Sequence, residues 1–295
     1  MIATVINYCT NDYRFLDACL KEAWKFSKEI IIPVCDHFFD GVAENRLLLE
    51  YSYAKHPDVK FIEFAFGDEP YGIYSGLKKG DDDWIHYWHS TARYVGDLFV
   101  SPEIEYVLFL DVDEVADGNR MKAWLSNFPY QDFDEVRFTS YFYFREAKFQ
   151  SLKIMRNALL VKKVKLKPEL LLDVQERWGA FNSLGGTRLE DAYALDDRPL
   201  FHHYSWVRTK EEMLRKVVSW GHHLDKDWSS LIEEEFKAPF QLKENFWGLN
   251  YKEVAPFIDP LTVAIPVNPI LNPHANITKV NRLSIQAMRI KSEYF

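Results

Sequence analysis

Residues 106–118 read YVLFLDVDEVADG, an apolar run that ends in carboxylates at Asp111, Asp113 and Glu114. Acids this close repel one another and raise each other's pKa, so a chain that sets them side by side has a cation or a phosphoryl group for them to meet. In one chemistry, Asp111 and Asp113 hold Mn²⁺ or Mg²⁺, and the cation bridges a diphosphate so that the leaving group departs with its charge offset. In another, Asp111 is a nucleophile and Asp113 its acid in phosphoryl transfer. A merely solvated acidic turn is disfavoured by the apolar run in front of it.

The elements needed to hold these acids can be read around them. Residues 2–8 (IATVINY) form a β-branched strand, and Thr10-Asn11-Asp12 supplies capping side chains for a helix with apolar positions at 15, 16, 19, 20, 23 and 24. Residues 29–35 (EIIIPVC) are a second buried strand, 44–55 a helix, 59–66 a third strand and 87–100 another helix. Strands alternating with helices predict a parallel sheet covered on both faces. The acids then fall at the carboxyl end of a central strand, where open α/β sheets bind ligands. Farther on, the pattern predicts a helix at 119–127, a strand at 135–144, further strands within 145–175, a helix from the capping box at Thr209 to about 224, and a helix at 229–237. This implies one α/β domain over 1–208 with a helical extension over 209–295.

Composition narrows the function. The chain has 295 residues and 47% hydrophobic content, ample for a large core, and a net charge of −8 that disfavours nucleic-acid binding. Cys9, Cys19 and Cys35 lack metal-type spacing and sit in apolar segments, which fits a reducing cytoplasm. Aromatics make up 16% and cluster with histidine in WIHYWH (84–89) and WGHH (220–223), so they form either a thick core or platforms for sugar and base faces. The tail at 279–291 alternates basic and apolar residues at amphipathic spacing, which suits either packing on the domain or contact with the inner face of an anionic membrane carrying a lipid-linked acceptor.

Four segments in order carry a resemblance over about residues 1–118. VINYCTNDYRFLDACLKEA, IIIPVCDHFFDG, STARYVGDLF and YVLFLDVDEV resemble the opening of GT-A fold, family 2-like glycosyltransferases, and the DVDE form is also similar to family 92. A phosphatase of the haloacid-dehalogenase type shares the Asp-x-Asp strand but carries it as the first strand of its domain. A carbohydrate-binding protein that kept the fold without turnover is the non-enzymatic alternative.

The resemblance implies a mixed α/β sheet flanked by helices and a metal-dependent, inverting transfer of a sugar from a nucleoside-diphosphate sugar, UDP-linked in the first instance, to a hydroxyl of a glycan or lipid-linked acceptor. It implies donor-binding roles for Asn11, Asp36, Arg93 and Asp111. Asp191, in LGGTRLEDAY, with Glu190 beside it, stands where family 2 enzymes carry their general base, though a surface acid pair reads the same way. In LFHHYSWVRTK, His203 or His202 would join Asp111 and Asp113 around the metal, and Arg208 would reach the diphosphate. His222-His223 falls mid-helix on this reading, with core packing as its ordinary role.

Overall fold

The computed structural model describes residues 1–68, 77–267, 277–281 and 284–285. In chain order the elements are β1 (Ile2–Asn7), α1 (Tyr13–Ala23), β2 (Glu29–Cys35), α2 (Arg46–Lys55), β3 (Lys60–Phe64), α3 (Trp84–Asp97), β4 (Tyr106–Asp111), β5 (Glu114–Ala116), α4 (Gly118–Asn127) and β6 (Glu135–Phe144). There follow β7 (Glu146–Ser151), β8 (Met155–Lys162), α5 (Pro168–Leu171), α6 (Glu176–Ser183), β9 (Arg188–Ala192), β10 (Phe201–Trp206), α7 (Lys210–Val218), α8 (Trp228–Glu235), β11 (Tyr251–Glu253) and β12 (Ile277–Val280).

One mixed sheet runs β11-β7-β6-β8-β4-β1-β2-β3-β12, with β9 and β10 paired to β6, and β5 to β10. Its heart, β4-β1-β2-β3, is parallel, and β8 turns the order antiparallel beside β4. This is the α/β class expected from the sequence, a central mixed sheet flanked by helices. The apolar alternation along β4 sends Leu108 and Leu110 to one core, with Phe15 and Leu16 of α1, and Val107 and Phe109 to the other, with Trp88 and Val95 of α3. Gly96 lets α3 lie close on β1, because a Cβ there would meet Val5 Cγ1 at 2.4 Å.

The chain beyond residue 209 is more than helical. Met213 and Val217 of α7 and Trp228 and Ile232 of α8 form a third core with Phe142, Phe144 and Trp206, while β11 and β12 join opposite edges of the sheet. The helix opened by the Thr209 capping box ends at Val218, and Trp220–His223 form a turn. In that turn the bare face of Gly221 packs on the His86 ring, where a Cβ would come within 2.2 Å. No helix among the described residues is long and apolar enough to cross a membrane. Most of the basic tail lies outside the described residues.

Candidate active site

β4 pairs with β1 in parallel from Ile2 opposite Tyr106 to Asn7 opposite Asp111, which delivers Asp111 to the carboxyl edge of the sheet. The chain then turns back: Asp111 N donates to Glu114 Oε2 at 3.0 Å, and β5 runs antiparallel to β10. Tyr204 N donates to Asp113 O at 2.8 Å, so the neighbouring His203 is brought beside Asp113. The three acids of the motif thus end in three different environments.

Asp111 is ringed by basic side chains. Its Oδ2 accepts from Arg177 of α6 at 3.0 Å, and its Oδ1 lies 3.2 Å from His89 Nε2 and 3.5 Å from an Arg93 nitrogen, one turn apart on α3. Removal from water pushes its pKa up, but Arg177, His89 and Arg93 outweigh that and hold the carboxyl well below the ordinary range. Glu114, fully buried, is clamped by Arg177 through both oxygens at 2.5 and 2.7 Å. Asp113 has Lys216 of α7 at 3.4 Å and Arg208 at 2.9 Å on Oδ2, and His203 Nε2 at 3.6 Å from Oδ1. Burial raises its pKa and Asp111 adds to the rise, yet Lys216, His203 and Arg208 bring it below the ordinary value. Both motif aspartates are therefore charged at neutral pH.

All of these groups except Arg93, Glu114 and Arg208 line one cavity of about 580 Å³, within the usual range for a ligand site. Its wall at the carboxyl ends of β1 and β2 is made by Tyr8, Pro33, Cys35, Phe38 and Phe39, with Asn11, Glu44 and Ile85 also lining the cavity. The charged and basic part of the wall holds His89, Asp111, Asp113, Arg177, His203 and Lys216. An aromatic group, Phe142, Trp206, Trp220 and Trp247, also lines the cavity.

Several residues singled out in the sequence stand elsewhere. His202 alternates with His203 along β10 and so points away from the cavity: Tyr143 Oη contacts its Nδ1 at 2.7 Å, Phe257 stacks on the ring at 4.3 Å, and burial, with Arg120 adding, pushes its pKa down to about 3. Asp191 lies on β9 and is held by both guanidinium arms of Arg156, while the flanking Met155 and Asn157 of β8 are the ones that face the cavity. Glu190 is exposed, and its carbonyl accepts from Arg137 at 3.4 Å. Neither acid reaches the site.

Asp36 falls outside the cavity wall, whereas its neighbours Cys35 and His37 are in it; its Oδ1 accepts from Phe66 N at 2.7 Å and ties the ends of β2 and β3 together. Arg208 is buried among Asp113, Asp12 at 2.5 Å and the Asn11 carbonyl at 3.1 Å, so its charge is spent inside the protein. Arg93 is likewise buried behind Asp111. Asn11 lines the cavity, and its side chain donates to the Glu212 carbonyl at 3.1 Å.

Sequence reasoning missed Arg177, Lys216, Glu44 and the role of His89. The spacing of His89 and Arg93, four apart on one helix face, was the available sign. For Lys216 and Arg177 there was none, since each meets its aspartate across more than sixty residues of chain.

The donor set can be judged against the expected divalent cation. Among the described residues no group of three or more His, Cys, Asp or Glu stands close enough to hold a metal ion. Asp111 has both oxygens engaged, and His202 is turned away. What remains is Asp113 Oδ1 and His203 Nε2, 3.6 Å apart on the cavity wall, too far for a hydrogen bond and suited to two ligands of one ion. Such a pair fits an Mg²⁺- or Mn²⁺-type ion that takes its other ligands from phosphate oxygens and water. When bound, it would offset the charge of a departing diphosphate.

No family model matches the chain, and no curated protein matches it. Among solved structures, it is similar to 4-diphosphocytidyl-2C-methyl-D-erythritolsynthase from Anaerococcus prevotii, at 8% identity over 77% of this chain and 99% of that one, with a TM-score of 0.42. It is also similar to the glycosyltransferase GlyE of Streptococcus pneumoniae, at 13% identity over 82% and 66% of the two chains with a TM-score of 0.37, and to TarS of S. aureus, at 12% identity over 80% and 72% with a TM-score of 0.35. These likenesses are distant. The fold class stands on the sheet topology itself.

Proposed function

We propose that this protein is a family 2-like glycosyltransferase that moves a sugar from a nucleoside-diphosphate donor to an acceptor hydroxyl. The observation that supports it best is the charged pair Asp111 and Asp113 in one cavity whose wall also has an apolar slot at the ends of β1 and β2 and an aromatic group. The donor's base lies in the slot between β1 and β2, and its diphosphate lies by Lys216, where Asp113 and His203 would hold a divalent cation. Lys216 then meets the charge that grows on the phosphate oxygen as the anomeric bond breaks.

If the transfer inverts, a base has to take the acceptor proton. Asp191 is turned away from the cavity. His222 lines the cavity, with Nδ1 3.0 Å from Asp225 Oδ2, and an imidazole oriented by a carboxylate suits that task. A phosphatase would need Asp111 as nucleophile, and its two oxygens are held by Arg177, His89 and Arg93.

The test is thermal unfolding with UDP, GDP, CDP and TDP, each with and without Mn²⁺. A ligand at about a hundred times its dissociation constant adds roughly 2.7 kcal/mol of stability. Stabilisation by one nucleotide, enlarged by metal and lost in Asp113→Asn, is the expected result. If no nucleotide acts under either condition, the donor site is absent and the proposal falls.

A further inference from the structure

The aromatic part of the cavity wall is built in two layers. Trp206 and Trp228 are buried at 1% and 3% exposure, and their rings lie 5.7 Å apart. Against them lean two rings that face the cavity: Trp220 at 5.4 Å from Trp206 and 5.1 Å from Trp228, and Trp247 at 5.4 and 5.6 Å from the same pair. Trp247 remains 42% exposed. Core packing accounts for the first layer and for part of Trp220, and leaves Trp247 as a large ring open to the cavity, a contact surface.

The loop that carries Trp247 is fixed. Glu244 is fully buried, and its carboxylate accepts from the backbone N–H of Phe246, of Trp247 at 2.8 Å and of Leu249 at 2.8 Å, wrapping residues 244–249 around one charge. Lys226 donates to the Phe246 carbonyl and lies 5.5 and 5.9 Å over the Trp228 and Trp247 rings. Gly248 closes the turn at φ +71°, a conformation natural to glycine. A buried carboxylate with three backbone donors holds the indole in place before any ligand arrives.

The occupant follows from the shape and polarity of this part of the wall. Phe142 lies 6.3 Å from Trp247 and 5.6 Å from His203, so the aromatic wall runs on from the centre that holds Asp113. Lys153, Asn157 and His222 give the same cavity a hydrogen-bonding edge. Flat aromatic faces with a polar rim complement a molecule with an apolar face and a ring of hydroxyls. A lipid chain has no use for the rim, and an extended peptide would need backbone partners along it.

We propose that this part of the cavity is an acceptor subsite for the pyranose ring of a glycan, stacked on Trp247 and Trp220 with one hydroxyl turned toward the Asp113 centre. The inference rests on the transferase reading and identifies the class of its acceptor.

The experiment is saturation-transfer NMR with free mono- and disaccharides at millimolar concentration, in the presence of the stabilising nucleotide, on the wild type, Trp247→Ala and Trp247→Phe. At least one sugar should give signal on the protons of one ring face, with affinity about tenfold weaker in Trp247→Ala and largely kept in Trp247→Phe, while the nucleotide's thermal shift is unchanged in both. That unchanged shift also shows that the variants fold. Sugar binding equal in Trp247→Ala, or no sugar signal beside normal nucleotide binding, overturns the subsite and leaves the transferase reading standing. If a sugar binds through Trp247 but no nucleotide stabilises the protein, the subsite survives as a carbohydrate-binding site and the transferase reading is what fails.

Discussion

Lys216 Nζ stands 3.4 Å from Asp113 Oδ2, the same carboxylate oxygen that Arg208 holds at 2.9 Å. The two cations differ in what surrounds them: Arg208 is buried, whereas Lys216 is on the cavity wall. Only Lys216 can turn to an incoming diphosphate without leaving Asp113 uncompensated. Lys216→Met should therefore weaken nucleotide binding about 10- to 100-fold, the range of one charge-assisted hydrogen bond, and change stability little. Calorimetric titration with the stabilising nucleotide, set beside the melting temperature of the variant, checks both halves.

Arg208 should behave in the opposite way. It is buried between Asp113 and Asp12, so Arg208→Met leaves Asp12 without its cation and Asp113 with Lys216 alone, and should destabilise the fold by about 3 kcal/mol. Urea unfolding measures this directly. Adding Asp113→Asn should restore part of the loss, because it removes one of the charges that Arg208 offsets. A neutral effect of Arg208→Met on stability would mean that Arg208 is not the internal counter-charge.

The adjacent histidines separate metal from structure. His203→Ala should abolish the extra thermal shift that Mn²⁺ gives in the presence of nucleotide, because Asp113 would be left as the only protein ligand. His202→Phe should leave that shift intact while disturbing the Tyr143 contact and the stack on Phe257. Mn²⁺ without nucleotide should move the melting temperature little in either protein, since the ion needs phosphate oxygens to complete its shell. A large shift with Mn²⁺ alone would refute that coupling.

What the sequence revealed and what it hid divide along one physical line. Asp111 could be placed because an apolar strand ending in a charge announces its own position, and α1 and β1 to β4 carry their periodicities within short windows. The choice between His202 and His203 depends on the pairing of β10 with β5 and β6, a register that no local pattern fixes. Asp191 misled for a related reason. Residues 188–192 lack strand-like alternation, and only the pairing of β9 with β6 shows that the side chain meets Arg156. Arg177 and Lys216 lie 66 and 103 residues from the aspartates they neutralise, and contacts of that range leave no mark on a single sequence.

Glu44 gives a pH prediction on the donor side of the cavity. Burial is the largest influence on its carboxyl; the N–H of Thr10 at 3.0 Å and the Thr10 hydroxyl pull the other way, Asp12 adds to the rise and Arg215 opposes it, and the balance places the pKa at about 7. The folded state thus holds this proton more tightly than the unfolded chain, whose glutamate titrates near 4.5. The stabilisation is complete below about 4.5 and is lost as pH rises through about 7, a difference of about 3 kcal/mol. Glu44→Gln keeps an acceptor for Thr10 and removes the titration. Between pH 5 and pH 8 the wild type should therefore lose stability relative to Glu44→Gln, as read from urea midpoints across that range. Parallel curves for the two proteins would show that Glu44 is already ionised in the fold at pH 5.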